Sequence, residues 1–207
     1  MTSIALPKPE PRGETSVERA IATRASRRSF ASTSVSIEDI SQLLWAAQGI
    51  THVQDGVKMR AAPSAGATYP LVASLEVPSD GCPDLEAGLY RYDPGNHGIE
   101  PVLESSIHDE LTRAALDQAV VGDAPATIVL AADEERTRQR YPDHGRRYVR
   151  MEVGHVAQNV HLVCESRELN CCPVGAFSDA ELADVLVLPS SLEPLYLLPF
   201  GNRPDER

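Results

Sequence analysis

The chain reads as one domain of mixed α and β structure, and three observations predict it. Residues 71–77 and 126–132 are short apolar runs of strand length. Residues 36–49 and 145–169 carry apolar positions every three or four residues, the helical period. Between them, residues 88–92 and 98–103 flank the turn Asp93-Pro94-Gly95-Asn96 and read as a β-hairpin. With 207 residues, 42% of them hydrophobic, and no repeat or low-complexity block, the chain has material for one sizeable core.

Taken in order, residues 1–13 carry Pro7, Pro9 and Pro11 and read as an extended N-terminal arm able to lie across a partner subunit; residues 14–207 form the single domain. A helix is expected from about Thr15, with Val17, Ala20 and Ile21 on one side. A second opens at Ser36 with Asp39 three residues on, presents Ile37, Ile40, Leu43, Leu44 and Ala47, and closes at Gly49; Trp45 on it reads as packing. A further helix is expected over 106–120. The long helix over 145–169 repeats valine around Gly154, Ala157 and Asn159, small residues that permit close packing of another helix. Gln158 and Asn159 can close a buried hydrogen-bond network or face solvent. Ser178 with Glu181 predicts a capping box, and residues 194–200 a last strand.

The loop at 60–70 joins helix-like to strand-like sequence with small residues and two prolines. Gly66 and its alanines let a flat ligand approach the backbone, Pro63 and Pro70 stiffen the path, and Ser64 and Thr68 offer hydroxyls. That chemistry suits a planar heterocycle, and the same composition describes an ordinary surface loop. Arg24, Ser26 and Arg28 would converge on a phosphate if the chain leaves its helix there; a helix C-terminus also attracts arginine by its carbonyl charge. Gly175 and Ala176, ahead of a helix start, can present bare N–H groups, and Arg203 lies just beyond a strand end.

Composition excludes several classes. A formal net charge of -11 repels nucleic acid and anionic lipid, so an anionic ligand needs a local basic cluster. Cys82, Cys164, Cys171 and Cys172 make no zinc-knuckle spacing, and His155 and His161, six apart, do not share a metal, so no metal is expected. No stretch reads as a signal peptide or spanning helix, which leads to the expectation of a cytoplasmic protein with reduced thiols. Neither GxGxxG nor GxxxxGK[ST] occurs, so neither fingerprint explains a nucleotide site.

Six segments in order carry a resemblance: Arg24-x-Ser26-x-Arg28-x-Phe30, the helix end from Leu43 to Gly49, Pro63-Ser64-Ala65-Gly66-Ala67-Thr68-Tyr69-Pro70, Gly88-Leu89-Tyr90-Arg91-Tyr92, Glu152-x-Gly154-His155-x-x-Gln158-Asn159, and Pro173-Val174-Gly175-Ala176-Phe177. From about residue 6 to 203 the chain resembles the nitroreductase-like FMN oxidoreductases, and within them the SagB-type dehydrogenases, whose members aromatise azoline rings in ribosomal peptides. The resemblance implies an α+β fold with a central, mainly antiparallel sheet flanked by helices, in an interlocked homodimer with FMN at the interface. It implies that Arg24, Ser26, Arg28 and Arg203 hold the FMN phosphate, and that Pro63, Ser64 and Gly66 from the partner chain line the isoalloxazine. Val174, Gly175 and Ala176 would then meet the flavin edge, Gly175 N–H facing N5, with Gln158 nearby.

In one place the chain departs from that branch. Where azoline dehydrogenases are expected to carry Lys-Tyr ahead of the long helix, it reads Arg140-Tyr141. Arginine does not deprotonate and cannot replace a basic lysine, which leaves Tyr141 or Tyr148 to handle a proton, or to serve as packing. The readings that follow are an FMN dehydrogenase of a heterocyclic or peptide-like natural-product intermediate, an NAD(P)H-dependent nitro or quinone reductase, or a non-catalytic flavin-binding subunit among biosynthetic partner proteins.

Overall fold

The computed structural model describes residues 3–204. The elements run β1 (Ile4–Ala5), α1 (Val17–Thr23), α2 (Ile37–Gln48), β2 (Ile50–Gln54), β3 (Val57–Arg60), β4 (Leu71–Val77), β5 (Gly88–Asp93), β6 (Gly98–Leu103), α3 (His108–Ala114), α4 (Ala119–Gly122), β7 (Ala126–Ala132), α5 (Glu134–Arg138), α6 (Gly145–Ser166), β8 (Leu169–Cys171), α7 (Asp179–Val185) and β9 (Glu193–Asn202). Seven strands form one sheet in the order β1-β6-β5-β4-β7-β9-β8, with antiparallel pairing throughout.

Period-2 alternation splits the core between the sheet's two faces. On β7, Ala126, Ile128, Leu130 and Ala132 join the cluster made with Ile40, Leu43 and Leu44 of α2 and Val149, Val153, Val156 and Val160 of α6. Val129 turns to the other face, against Leu111 of α3, Val121 of α4 and Leu182 of α7. A strand covered on both faces has no polar side to show, which is why β7 is buried at every position.

Ser36 caps α2 as expected, accepting from Asp39 N–H at 3.1 Å while its hydroxyl donates to Asp39 Oδ2 at 2.6 Å. At the other end of that helix a Cβ on Gly49 would fall 2.2 Å from Trp45 Cδ1, so closeness to the indole explains the glycine. Three expectations need correcting. The helix expected over 106–120 is two short ones, α3 and α4, because Leu116 and Asp117 turn left-handed at φ 60° and 53°. Ser178 occupies the N-cap of α7 without a side-chain hydrogen bond, so the capping box is absent. On α1 only Ala20 is buried; Val17 and Ile21, expected on the same side, are 64% and 57% exposed and have little cover among the described residues.

The expected arm is described from residue 3 onward, residues 1 and 2 lying outside the described part. It is extended, but it follows its own chain: Ile4 and Ala5 pair with β6, Ser41 donates to Pro7 O at 2.6 Å, and Glu10 exchanges two hydrogen bonds with the Gln42 amide. Residues 205–207, the end of the expected domain, also lie outside it. No helix among the described residues is long and apolar enough to cross a membrane, and no group of three or more His, Cys, Asp or Glu side chains gathers there in metal-binding fashion. All four cysteines are buried and unpaired.

Candidate active site

The residues singled out in the sequence gather in two regions at opposite ends of α6. The first lies along the β8 edge of the sheet. After Arg24 the chain leaves the helix and runs beside β8, with Arg27 N–H donating to Cys171 O at 3.1 Å and the Asn170 side chain to Ser29 O at 2.8 Å. His161 on α6 supports this course, its Nε2–H shared between Ala25 O and Cys171 O. In a chain running along a strand, residues two apart share a side. Arg27 turns inward to Glu165, 2.6 Å away, while Ser26 and Arg28 are exposed and Arg24 is half-buried. Among the described residues, the side chains of Arg24, Ser26 and Arg28 make no hydrogen bond or ion pair.

Arg203 differs from those three. Its Nη2 sits 2.9 Å from the same Glu165 Oε2 that Arg27 grips, and its Nε is buried without a partner. Burial pushes the Glu165 carboxyl up, but hydrogen bonds from Thr23 and Arg27 and the charges of Arg203 and Arg27 outweigh it and hold the group below its ordinary value. Next along this edge, Val174 exchanges both backbone hydrogen bonds with Leu197, at 2.8 and 2.9 Å. Gly175 and Ala176 are exposed, and their N–H groups donate to nothing among the described residues. A Cβ on Gly175 would make only ordinary contact, 3.5 Å from the Tyr196 ring.

The second region is the loop at 60–70 with the side chains that clamp it. Gly66, Ala67 and Tyr69 all have positive φ, at 61°, 53° and 46°, and only glycine adopts that region cheaply. Interlocking contacts hold the shape. Ser64 Oγ accepts from Tyr69 N–H at 2.9 Å, Thr68 Oγ1 meets Thr137 Oγ1 at 2.8 Å, and Arg140 Nη1 donates to Gly66 O at 2.9 Å. A Cβ on Gly66 would stand 2.7 Å from Arg140 Nε and 2.8 Å from the Tyr141 hydroxyl, so the Arg140-Tyr141 pair lies directly against the loop. Tyr148 joins it, its ring edge-on to Tyr141 with centroids 5.2 Å apart.

Sequence reasoning missed the floor of this region. Glu152, four residues after Tyr148 on α6, is buried beneath Ser64 with its Oε1 unpartnered. Burial raises its carboxyl to about 7, although the Ser64 hydroxyl and the Arg60 charge both favour the ionised form. Arg60 donates to Gln48 Oε1 and lies 4.7 Å over the Tyr69 ring. Glu152 stood inside a quoted motif, but no local feature of the sequence announced its burial. Asn159 closes a partly buried network, donating to Ala46 O and Ala61 O, whereas Gln158 faces solvent.

The two regions stay apart within one chain. Tyr148 and Glu165 mark them on a single helix, about 25 Å apart along its axis at 1.5 Å per residue. A groove of about 1000 Å³ also opens between the arm near Gly13, α1 and the C-terminal end of α6, but of the expected site residues only Arg203 lines it.

Residues 21–202 match the Nitroreductase family, and the chain belongs to it. A Methanocaldococcus jannaschii protein named "Putative nitroreductase" is 40% identical over 190 residues, 92% of either chain. A solved structure of a Ralstonia eutropha protein bearing the same description superposes with a TM-score of 0.82 at 26% identity, covering 99% of this chain and 90% of that one. A chain of the E. coli microcin synthetase McbBCD complex, solved with truncated pro-MccB17 bound, gives a TM-score of 0.74 at 26% identity over 90% of this chain and 73% of its own.

Proposed function

We propose that the protein is an FMN-dependent dehydrogenase of a heterocyclic or peptide-like natural-product intermediate, of the azoline-to-azole type, working as a homodimer. The observation that carries this reading is the seating of Tyr141 and Arg140 on Gly66, which sets a phenol and a fixed cation at the loop that the resemblance gives to the isoalloxazine. Likeness to the microcin synthetase chain supports the dehydrogenase branch and a biosynthetic complex as its setting.

The donor set fits FMN. Arg24, Ser26 and Arg28 are two guanidinium groups and a hydroxyl on one stretch of chain, without partners among the described residues, as a phosphate dianion requires in so acidic a protein. Arg203 is joined to this stretch through Glu165, which its Nη2 and Arg27 both grip. At the β8 edge the exposed Gly175 and Ala176 can turn N–H groups to an acceptor at a ring edge. Bound there, FMN would supply the two-electron acceptor for substrate hydride. The chain's own part is to orient the substrate, exclude water at the loop, and carry a proton at the Tyr141 or Tyr148 hydroxyl.

Separation of the two regions, which one chain holds apart and a second chain can join, supports the dimer. Exposed Val17 and Ile21 on α1, Met151 on α6, and open space at Gly154 offer the face for it. The 40% identical relative favours a second reading, reduction of nitro or quinone compounds by NAD(P)H. Anaerobic stopped-flow on the bound flavin, with NADH, NADPH and a thiazoline- or oxazoline-bearing peptide in parallel, separates the two. Reduction by the azoline peptide is the expected result; turnover-competent reduction by a nicotinamide with none by the peptide would make the protein a reductase.

A further inference from the structure

We propose that Glu152 is a positioning residue that sets the shape of the 60–70 loop through Arg60, holding the loop in its observed form while its own carboxyl is protonated and releasing it on ionisation. This rests on the reading of that loop as the flavin side of the site. Glu152 is 3% exposed and leaves Oε1 without a partner, so a charge on it in this place demands a counter-charge, and Arg60 is the cation that faces it. The polar groups around it are few. Ser64 faces it from the loop and Arg60 from the end of β3, and Arg60 in turn feels Tyr69, Arg136 and Tyr92.

Arg60 is the link between Glu152 and the loop. Its guanidinium is spent on Gln48 Oε1 and the face of Tyr69, while Gln48 Nε2 is also buried without a partner. Tyr69 is the loop's most heavily anchored residue: its hydroxyl accepts from Arg60 N–H, its N–H donates to Ser64 Oγ, and its carbonyl accepts from Arg136 at 3.4 Å. A negative charge on Glu152 draws the guanidinium toward itself, off Gln48 and off the Tyr69 ring. With Tyr69 at φ 46°, loss of that stacking lets the strained backbone relax and carries Ser64 and Gly66 with it.

The sign of the pH effect follows. The folded carboxyl titrates at about 7, above its ordinary 4.5, so the folded chain keeps a proton that the unfolded chain has already released. Stability from this group therefore falls as pH rises through that window and is level above it. FMN, held best by the loop as observed, weakens as the folded carboxyl ionises around pH 7.

The test compares wild type, Glu152→Gln and Ser64→Ala from pH 5 to 8.5 by thermal unfolding of the flavin-free chain and by FMN titration. Wild type should lose affinity about fivefold or more between pH 6 and 8.5, the lower end of ordinary coupling between sites, and its melting temperature should decline from pH 5 to 7. Glu152→Gln, uncharged and close in shape, should flatten both profiles. Ser64→Ala removes a hydrogen bond to the ionised form and should move the unfolding inflection to higher pH, which keeps the inference testable should Glu152→Gln not fold. Parallel profiles in wild type and Glu152→Gln, or an unmoved inflection in Ser64→Ala, would overturn it. Failure of every protein to bind FMN would instead refute the flavin reading, and the unfolding profiles, which need no flavin, would still decide on Glu152.

Discussion

Arg24, Ser26 and Arg28 stand at an outer edge of the sheet with their side chains unengaged, whereas Gly66, Ala67 and Tyr69 sit in left-handed backbone under a clamp of Thr137, Arg140 and Tyr141. One region supplies charge through side chains that ligand can order on arrival. The other supplies shape, fixed in advance by contacts whose cost the fold has already met. Substitutions at the first should therefore act on binding and spare the fold, and those at the second on chemistry and on the fold together.

The largest effect should come from the clamp. Tyr141→Phe should slow reduction of bound flavin by substrate by about 10²-fold or more, the usual worth of acid–base help, with FMN still bound. An unchanged rate in stopped-flow would reduce Tyr141 to packing against Tyr148. At the sheet edge, Arg24→Ala or Arg28→Ala should weaken FMN by roughly ten- to a hundredfold, since a hydrogen bond to a charged group contributes about 1.5 to 3 kcal/mol. Denaturant midpoints should barely move, and retention of flavin in both variants would break the assignment.

Two glycines sharpen the contrast. Gly66→Ala meets φ 61° and the Arg140 side chain at once, so a loss of about 1 to 2 kcal/mol is expected from the left-handed backbone alone, read as a lower denaturant midpoint. Gly175→Ala, whose Cβ finds only ordinary contact with Tyr196, should stay within about 0.5 kcal/mol of wild type. Equal losses at the two positions would erase the distinction between a preformed region and an adaptable one.

Much of this was legible without coordinates, for reasons specific to each element. β4 and β7 fall at the expected bounds because strands buried on both faces are written as mainly apolar runs, and β6 because the turn at 93–96 announces its hairpin. The exposed hairpin of β2 and β3 was overlooked for the opposite reason: it buries almost nothing and so shows no pattern, although Asp55-Gly56 at φ 52° and 79° is a turn signal that residue types alone announce. In the candidate site, charges were visible but their partners were not. Arg203 reads as a free cation until Glu165, 38 residues earlier, closes on it. Nor does any local rule show that the Glu152 carboxyl lies beneath Ser64, since loop and helix meet only in the folded chain.

In the proposed dimer the sheet-edge arginines of one chain and the clamped loop of another form each flavin site. Co-expression of an Arg24→Ala/Arg28→Ala chain with a Tyr141→Phe chain tests it, because each variant alone is impaired at both of its sites. If sites are shared between chains, random pairing makes half the dimers mixed, and each mixed dimer carries one site with both regions intact. Recovery of about a quarter of wild-type activity is expected, in step with the fraction of mixed dimers. Activity no higher than the sum of the two parents, with mixed dimers demonstrated by differential tagging, would contradict it and place the whole site within one chain.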